Sequence, residues 1–146
     1  MKTTIRQMLD RKGDDVWAVT PGTTVFEALK LMAEKNIGAA LVREGEDLVG
    51  IFSERDYARK VILHGQSSKD LAVRDIMTTR VVCIRPEQTA DECMALMTER
   101  RVRHLPVVDE ANALVGMVSI GDVVRAVISQ QEFTIEQLEG YITSAN

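Results

Sequence analysis

The chain repeats itself, and a duplicated unit has to fold the same way twice, which narrows the available architectures more than any other feature. Thr20-Pro21-Gly22-Thr23-Thr24-Val25-Phe26-Glu27 aligns with Arg85-Pro86-Glu87-Gln88-Thr89-Ala90-Asp91-Glu92 at an offset of 65. The register persists through Leu31 on Leu96, Met32 on Met97, Glu34 on Glu99 and Val42 on Val107. One extra residue near Ala113 moves the offset to 66. Leu48-Val49-Gly50-Ile51-Phe52-Ser53-Glu54-Arg55-Asp56 then meets Leu114-Val115-Gly116-Met117-Val118-Ser119-Ile120-Gly121-Asp122. A short preamble matches as well, Ile5-Arg6-Gln7-Met8 against Val73-Arg74-Asp75-Ile76.

Each copy parses alike. Val16–Val19 and Val81–Ile84 are short, apolar and β-branched, and read as strands. Thr24-x-x-Glu27 and Thr89-x-x-Glu92 have capping-box spacing. Behind them Val25, Ala28, Leu29 and Met32, and likewise Ala90, Cys93, Met94 and Met97, fall on one face of a helix. Ala39–Val42 and Leu105–Val108 read as second strands, and third strands end at Ser53 and Ser119. A second helix runs to about Leu63 and Ser129. The expected class is α+β of α/β type, two β-α-β-β-α repeats packed with pseudo-two-fold symmetry. The expected divisions are repeat 1 over 5–63, a linker over 64–72, repeat 2 over 73–130, and a short C-terminal helix and tail over 131–146, opened by Thr134-Ile135-Glu136-Gln137 with Ile135, Leu138 and Ile142 on one side.

Composition excludes some functions. The net charge of −4 disfavours broad phosphate-backbone binding, so nucleic acid is not an expected partner. No apolar run approaches the roughly 18 residues of a membrane span. Cys83 and Cys93 lack metal-ligand spacing, and so sparse a cysteine content suits a reducing, cytoplasmic setting. The N-terminus lacks the apolar stretch of a secretory signal. No nucleophile–base signature, Walker loop or dinucleotide glycine fingerprint points to an enzyme, so no catalytic residue or metal is expected.

The duplicated strand–Gly-x-x-Ser-x-x-Asp–helix, with Arg103-His104-Leu105-Pro106-Val107-Val108-Asp109 before its second occurrence, resembles the CBS domain family over nearly the whole chain. The resemblance implies a paired module that dimerises and binds an adenosine-containing ligand in the cleft between its copies. AMP, ADP or ATP are the first expectation, with NAD(H) or S-adenosylmethionine as alternatives. The partners it implies are a second copy and a regulated protein. A structural dimerisation module with vacant clefts is the competing expectation.

Ser-x-x-Asp at a helix start is itself a capping box and useful without a ligand. The same geometry offers helix N–H groups to a phosphate and a carboxylate to ribose hydroxyls. The resemblance implies that the corresponding aspartate meets ribose, which makes Asp56 and Asp122 the ribose candidates, with Ser53 and Ser119 nearer phosphate. Arg103 and His104 lie where the family places phosphate-contacting groups, just before the strand carrying Pro106. Their counterparts in the first copy are Gly38 and Ala39, and Gly121 stands where the first copy has Arg55. One strong and one weak cleft are expected, with Arg55 and Arg59 reaching phosphates near Asp122. Thr20, Ile84 and Pro86, at the ends of the first strands, are the adenine-slot candidates.

Overall fold

A computed structural model describes residues 2–13 and 15–145, with side chains given up to residue 140. The chain divides into a central unit, Val16–Val82, and a terminal unit, Met1–Asp15 with Cys83–Asn146.

In the central unit β1 (Ala18–Val19) runs parallel to β2 (Ala39–Glu44), and β2 pairs antiparallel with β3 (Asp47–Ser53). Ala39 to Val42 are all fully buried, so this strand is covered on both faces and needs no polar alternation. Before it lies α2 (Val25–Lys35), whose N-cap Thr24 accepts the Glu27 N–H and whose C-cap Asn36 takes the left-handed conformation at φ 54°. The side of α2 carrying Val25, Ala28 and Met32 packs with Val42 and Phe52 into the core, as its spacing predicts. After β3 come α3 (Glu54–Lys60) and a 3₁₀ turn over Ile62–His64.

The terminal unit repeats the pattern. α4 (Ala90–Arg100) is capped by Thr89 on the Glu92 N–H and ends at Arg101 with φ 55°. β4 (His104–Val108) pairs antiparallel with β5 (Leu114–Ser119). α5 (Ile120–Ala145) follows.

The preambles exchange copies. α1 (Ile5–Lys12) opens the first repeat in sequence but belongs to the unit that holds the rest of the second. The Ile5 and Arg6 N–H groups donate to the Gln88 and Pro86 carbonyls, and Ala90 N–H donates to Thr3. The segment preceding the second repeat does the same for the first: Val73 and Arg74 donate to Thr23 and Pro21, and Val25 donates to Leu71. The motif glycines make room for this. A Cβ at Gly116 would stand 2.8 Å from Leu9, and one at Gly50 2.7 Å from Met77, the residue that aligns with Leu9. The cut at 5–63 and 73–130 is thus a division of sequence, while in space each preamble joins the opposite copy.

Three elements depart from the sequence expectation. The strand foreseen over Val81–Ile84 shrinks to one parallel bridge, Ile84 to Val107, and that over Val16–Val19 to two residues. The separate terminal helix over 131–146 does not exist, because α5 runs unbroken from Ile120 to Ala145. No proline interrupts it, and the Thr134 hydroxyl, foreseen as a cap, donates back to the Gln130 carbonyl from within the helix. Phe133, Ile135 and Leu138 are exposed on it. Ile142, the third member of that foreseen side, has its side chain outside the described residues.

Candidate functional site

Each motif serine is the last residue of a strand and the N-cap of the next helix. Ser53 Oγ accepts the Asp56 N–H at 3.1 Å, and Asp56 Oδ2 accepts the Ser53 N–H at 3.0 Å. Ser119 Oγ accepts the Asp122 N–H at 3.3 Å, and Asp122 Oδ2 accepts the Ser119 N–H at 2.8 Å. Both corners are complete capping boxes. Both aspartates are 8% exposed, and buried carboxylates stay charged only with partners.

Those partners differ. Asp56 accepts the Thr78 hydroxyl at 3.2 Å and pairs with Lys60 at 3.1 Å, so its corner is closed by an uncharged group and one cation. Asp122 meets Lys12 Nζ at 2.7 Å on Oδ2 and Arg125 at 2.6 Å on Oδ1. Lys12 arrives at the end of α1 and also donates to the Met117 carbonyl at 2.9 Å.

Burial alone would raise the Asp122 carboxyl, but the Lys12 hydrogen bond and charge and the two Ser119 bonds outweigh it and hold it below the ordinary carboxylate range. His104 lies opposite Ser119 in the β4–β5 register. Burial, with the Lys12 and Arg103 charges, pushes its imidazole down against the pull of Asp122, which leaves the ring neutral near pH 7. Cys93, buried on α4, is pushed up to about 12 by burial and then by Asp122, so it is no nucleophile. Beside Asp122 opens a hollow of about 210 Å³, lined by Met8, Arg11, Lys12, Asp122, Arg125, Ala126 and Ser129.

Of the residues singled out from sequence, Ile84, Pro86, Arg103, His104, Pro106, Ser119 and Asp122 lie in the terminal unit. Ile84 N–H donates to the Pro106 carbonyl at 2.9 Å, and the buried Pro86 receives the Arg6 N–H on its carbonyl. Arg103 is exposed, while its carbonyl accepts the Ile120 N–H at 2.8 Å at the start of α5. Thr20, Ser53, Arg55, Asp56 and Arg59 lie in the central unit. There Thr20 is an exposed turn residue bonded to Thr23, and Arg55 and Arg59 are exposed on α3. Sequence reasoning missed Lys12, Arg11, Thr78 and Lys60. Lys12 stands 110 residues from its carboxylate, a separation no local pattern bridges. Among the described residues no group of His, Cys, Asp or Glu is placed to hold a metal, and no helix is long and apolar enough to cross a membrane.

Residues 6–63 and 73–129 each match the CBS domain. The chain belongs to the CBS domain family. It is 43% identical to the CBS domain-containing protein CBSX3, mitochondrial, of Arabidopsis thaliana, over 96% of this chain and 72% of that protein. A solved structure of a protein with CBS domains from Burkholderia ambifaria MC40-6 is 52% identical and superposes with a TM-score of 0.84, covering 88% of this chain and 96% of that one. The CBS domain pair of protein MJ0100, solved in complex with 5′-methylthioadenosine and S-adenosyl-L-methionine, shares the fold at a TM-score of 0.76 and 24% identity, covering 89% of this chain and 99% of that one. The two CBS matches and the two compact units do not coincide, since the units interleave the matches.

Proposed function

We propose that this CBS pair is a regulatory, non-enzymatic module that senses an adenosine-containing nucleotide, AMP, ADP or ATP, at the Asp122 corner of its second repeat. The observation that carries this is a buried carboxylate at a helix start, held by Lys12 and Arg125 beside a hollow of about 210 Å³, with His104 opposite Ser119 in the strand register. A helix N-terminus and cations suit phosphate, and a carboxylate suits the paired hydroxyls of ribose. Ile84, Pro86 and Pro106 supply the apolar flank for a base, with Arg103 at the rim. The adenosyl ligands named for MJ0100 support the ligand class and keep S-adenosylmethionine, like NAD(H), among the compounds to test. In the first repeat Ser53, Asp56, Arg55, Arg59 and Thr20 make the weaker site. A homodimer acting on a regulated protein partner in the cytoplasm completes the proposal, and two unpaired cysteines suit that reducing compartment.

One observation favours the structural alternative: both carboxylates are already satisfied by their own caps and cations. Thermal unfolding with AMP, ADP, ATP, NADH and S-adenosylmethionine separates the two. A ligand at 100 times its Kd stabilises by about 2.7 kcal/mol. Asp122→Ala removes most of that shift and Asp56→Ala little of it. Mass spectrometry of small molecules released on denaturing the purified protein identifies the compound. An unmoved melting temperature with all five compounds leaves the structural alternative standing.

A further inference from the structure

Asp122 cannot take both hydroxyls of a ribose while its present partners remain. Oδ2 accepts Lys12 at 2.7 Å, the Ser119 N–H at 2.8 Å and the Ser119 hydroxyl at 3.1 Å, and Oδ1 accepts Arg125 at 2.6 Å. An ionised carboxylate offers about four lone-pair positions, two on each oxygen; three donors already crowd Oδ2 and Arg125 holds Oδ1, so one position remains, short of the two that paired ribose hydroxyls need. The two Ser119 bonds hold the start of α5. Lys12 and Arg125 are the donors able to leave, since the Arg125 side chain is 72% exposed and that of Lys12 35%.

Resting on the nucleotide assignment above, we infer that Lys12 and Arg125 are specificity-determining residues: they neutralise Asp122 when no ligand is bound and pass to the ligand's phosphates when its ribose takes that carboxylate. The site thereby selects polyanionic adenosine nucleotides over neutral adenosine and over a cationic sulfonium. The exchange balances only when the incoming molecule carries negative charge. A nucleoside would take the carboxylate and strand two cations, and a sulfonium would add a third positive charge beside them.

The surroundings push the same way. Arg11, Lys12 and Arg125 line the hollow with Asp122 as the one carboxylate among its lining residues, a local excess of positive charge on a chain whose net charge is −4. Its 210 Å³ falls below the roughly 300–1,000 Å³ that encloses a whole small molecule, so it holds one end of a ligand.

Calorimetric titration of the full chain with adenosine, AMP, ATP and S-adenosylmethionine tests this, on the parent protein and on Lys12→Met and Arg125→Gln. The parent is expected to bind ATP at least about tenfold tighter than adenosine, the size of one charge-assisted contact, and to bind S-adenosylmethionine weakest. Each variant is expected to shrink the ATP-to-adenosine ratio about tenfold while adenosine binds as well or better, because Asp122 has lost a competitor. A merely structural role would weaken both ligands alike, and the exposed Arg125 supplies a variant that folds even where Lys12→Met does not. Equal parent affinities for adenosine and ATP, or an unchanged ratio in Arg125→Gln, overturn the selection and leave the adenosine assignment intact. Failure of all four compounds to bind overturns both.

Discussion

His104 and Asp122 face each other's charges across the start of α5, yet they titrate in separate windows. The His104 imidazole is held below its ordinary value of 6.5, first by burial and then by Lys12. The folded state therefore binds fewer protons there than the unfolded one. The stability this supports is whole above pH 6.5 and drains away as the pH falls from 6.5 through the lower folded value. The loss is bounded at about 1.4 kcal/mol per pH unit for one proton. Asp122, held below its ordinary 3.8, loses its share only under more acid conditions. His104→Gln is thus expected to flatten the fall in melting temperature between pH 7 and pH 5 while leaving the steeper acid limb in place. A parent protein whose melting temperature is level across that interval contradicts the placement of His104.

The motif glycines explain how strand and preamble come together, and they set an order of tolerance. A Cβ at Gly116 meets the Leu9 side chain, which can rotate, whereas one at Gly50 meets Met77 and also the Thr78 carbonyl oxygen at 3.0 Å. That carbonyl is fixed, because Thr78 exchanges both backbone hydrogen bonds with Ile51. Gly50→Ala is expected to cost about 1–3 kcal/mol in chemical denaturation and Gly116→Ala distinctly less; the reverse order would show the preambles seated differently. Much at this level is legible beforehand, because it is local. Thr24 and Thr89 announce their helices through a bond three residues away, and the unbroken apolar runs at Ala39 and Leu105 announce covered strands. What is not local stays hidden. Val81–Ile84 has the composition of a strand but is paired only at Ile84, and Thr134 spells a cap inside a helix that never stops. The same limit separates the two halves of the site: Ser119 and Asp122 can be read from their spacing, and Lys12 cannot.

For the molecule as a whole, the exchanged preambles relocate the consequences of a truncation. Removing residues 1–12 takes α1 from the front of the first repeat, but the losses fall on the second: Ile5, Met8 and Leu9 are buried, and α1 bonds to Pro86 and Gln88. The chain's single tryptophan, Trp17, lies in the central unit, with Lys35 4.3 Å above its ring. On heating the truncated chain, circular dichroism is expected to record the loss of the terminal unit at or below the temperature at which Trp17 fluorescence changes. A fluorescence change that comes first would place α1 with the first repeat after all. The crossing also orders events at the ribosome. Within these residues α1 is made before every other described helix, while the backbone groups that receive it, Pro86 and Gln88, come 80 and 83 positions after Arg6 and Ile5. At roughly 5–20 residues per second, the 110-position separation of Lys12 and Asp122 keeps that ion pair waiting on the order of ten seconds. In that interval the central unit has all of its own residues and can close. The nascent α1 segment meanwhile carries Ile5, Met8 and Leu9 uncovered, within reach of any neighbour that offers a second repeat.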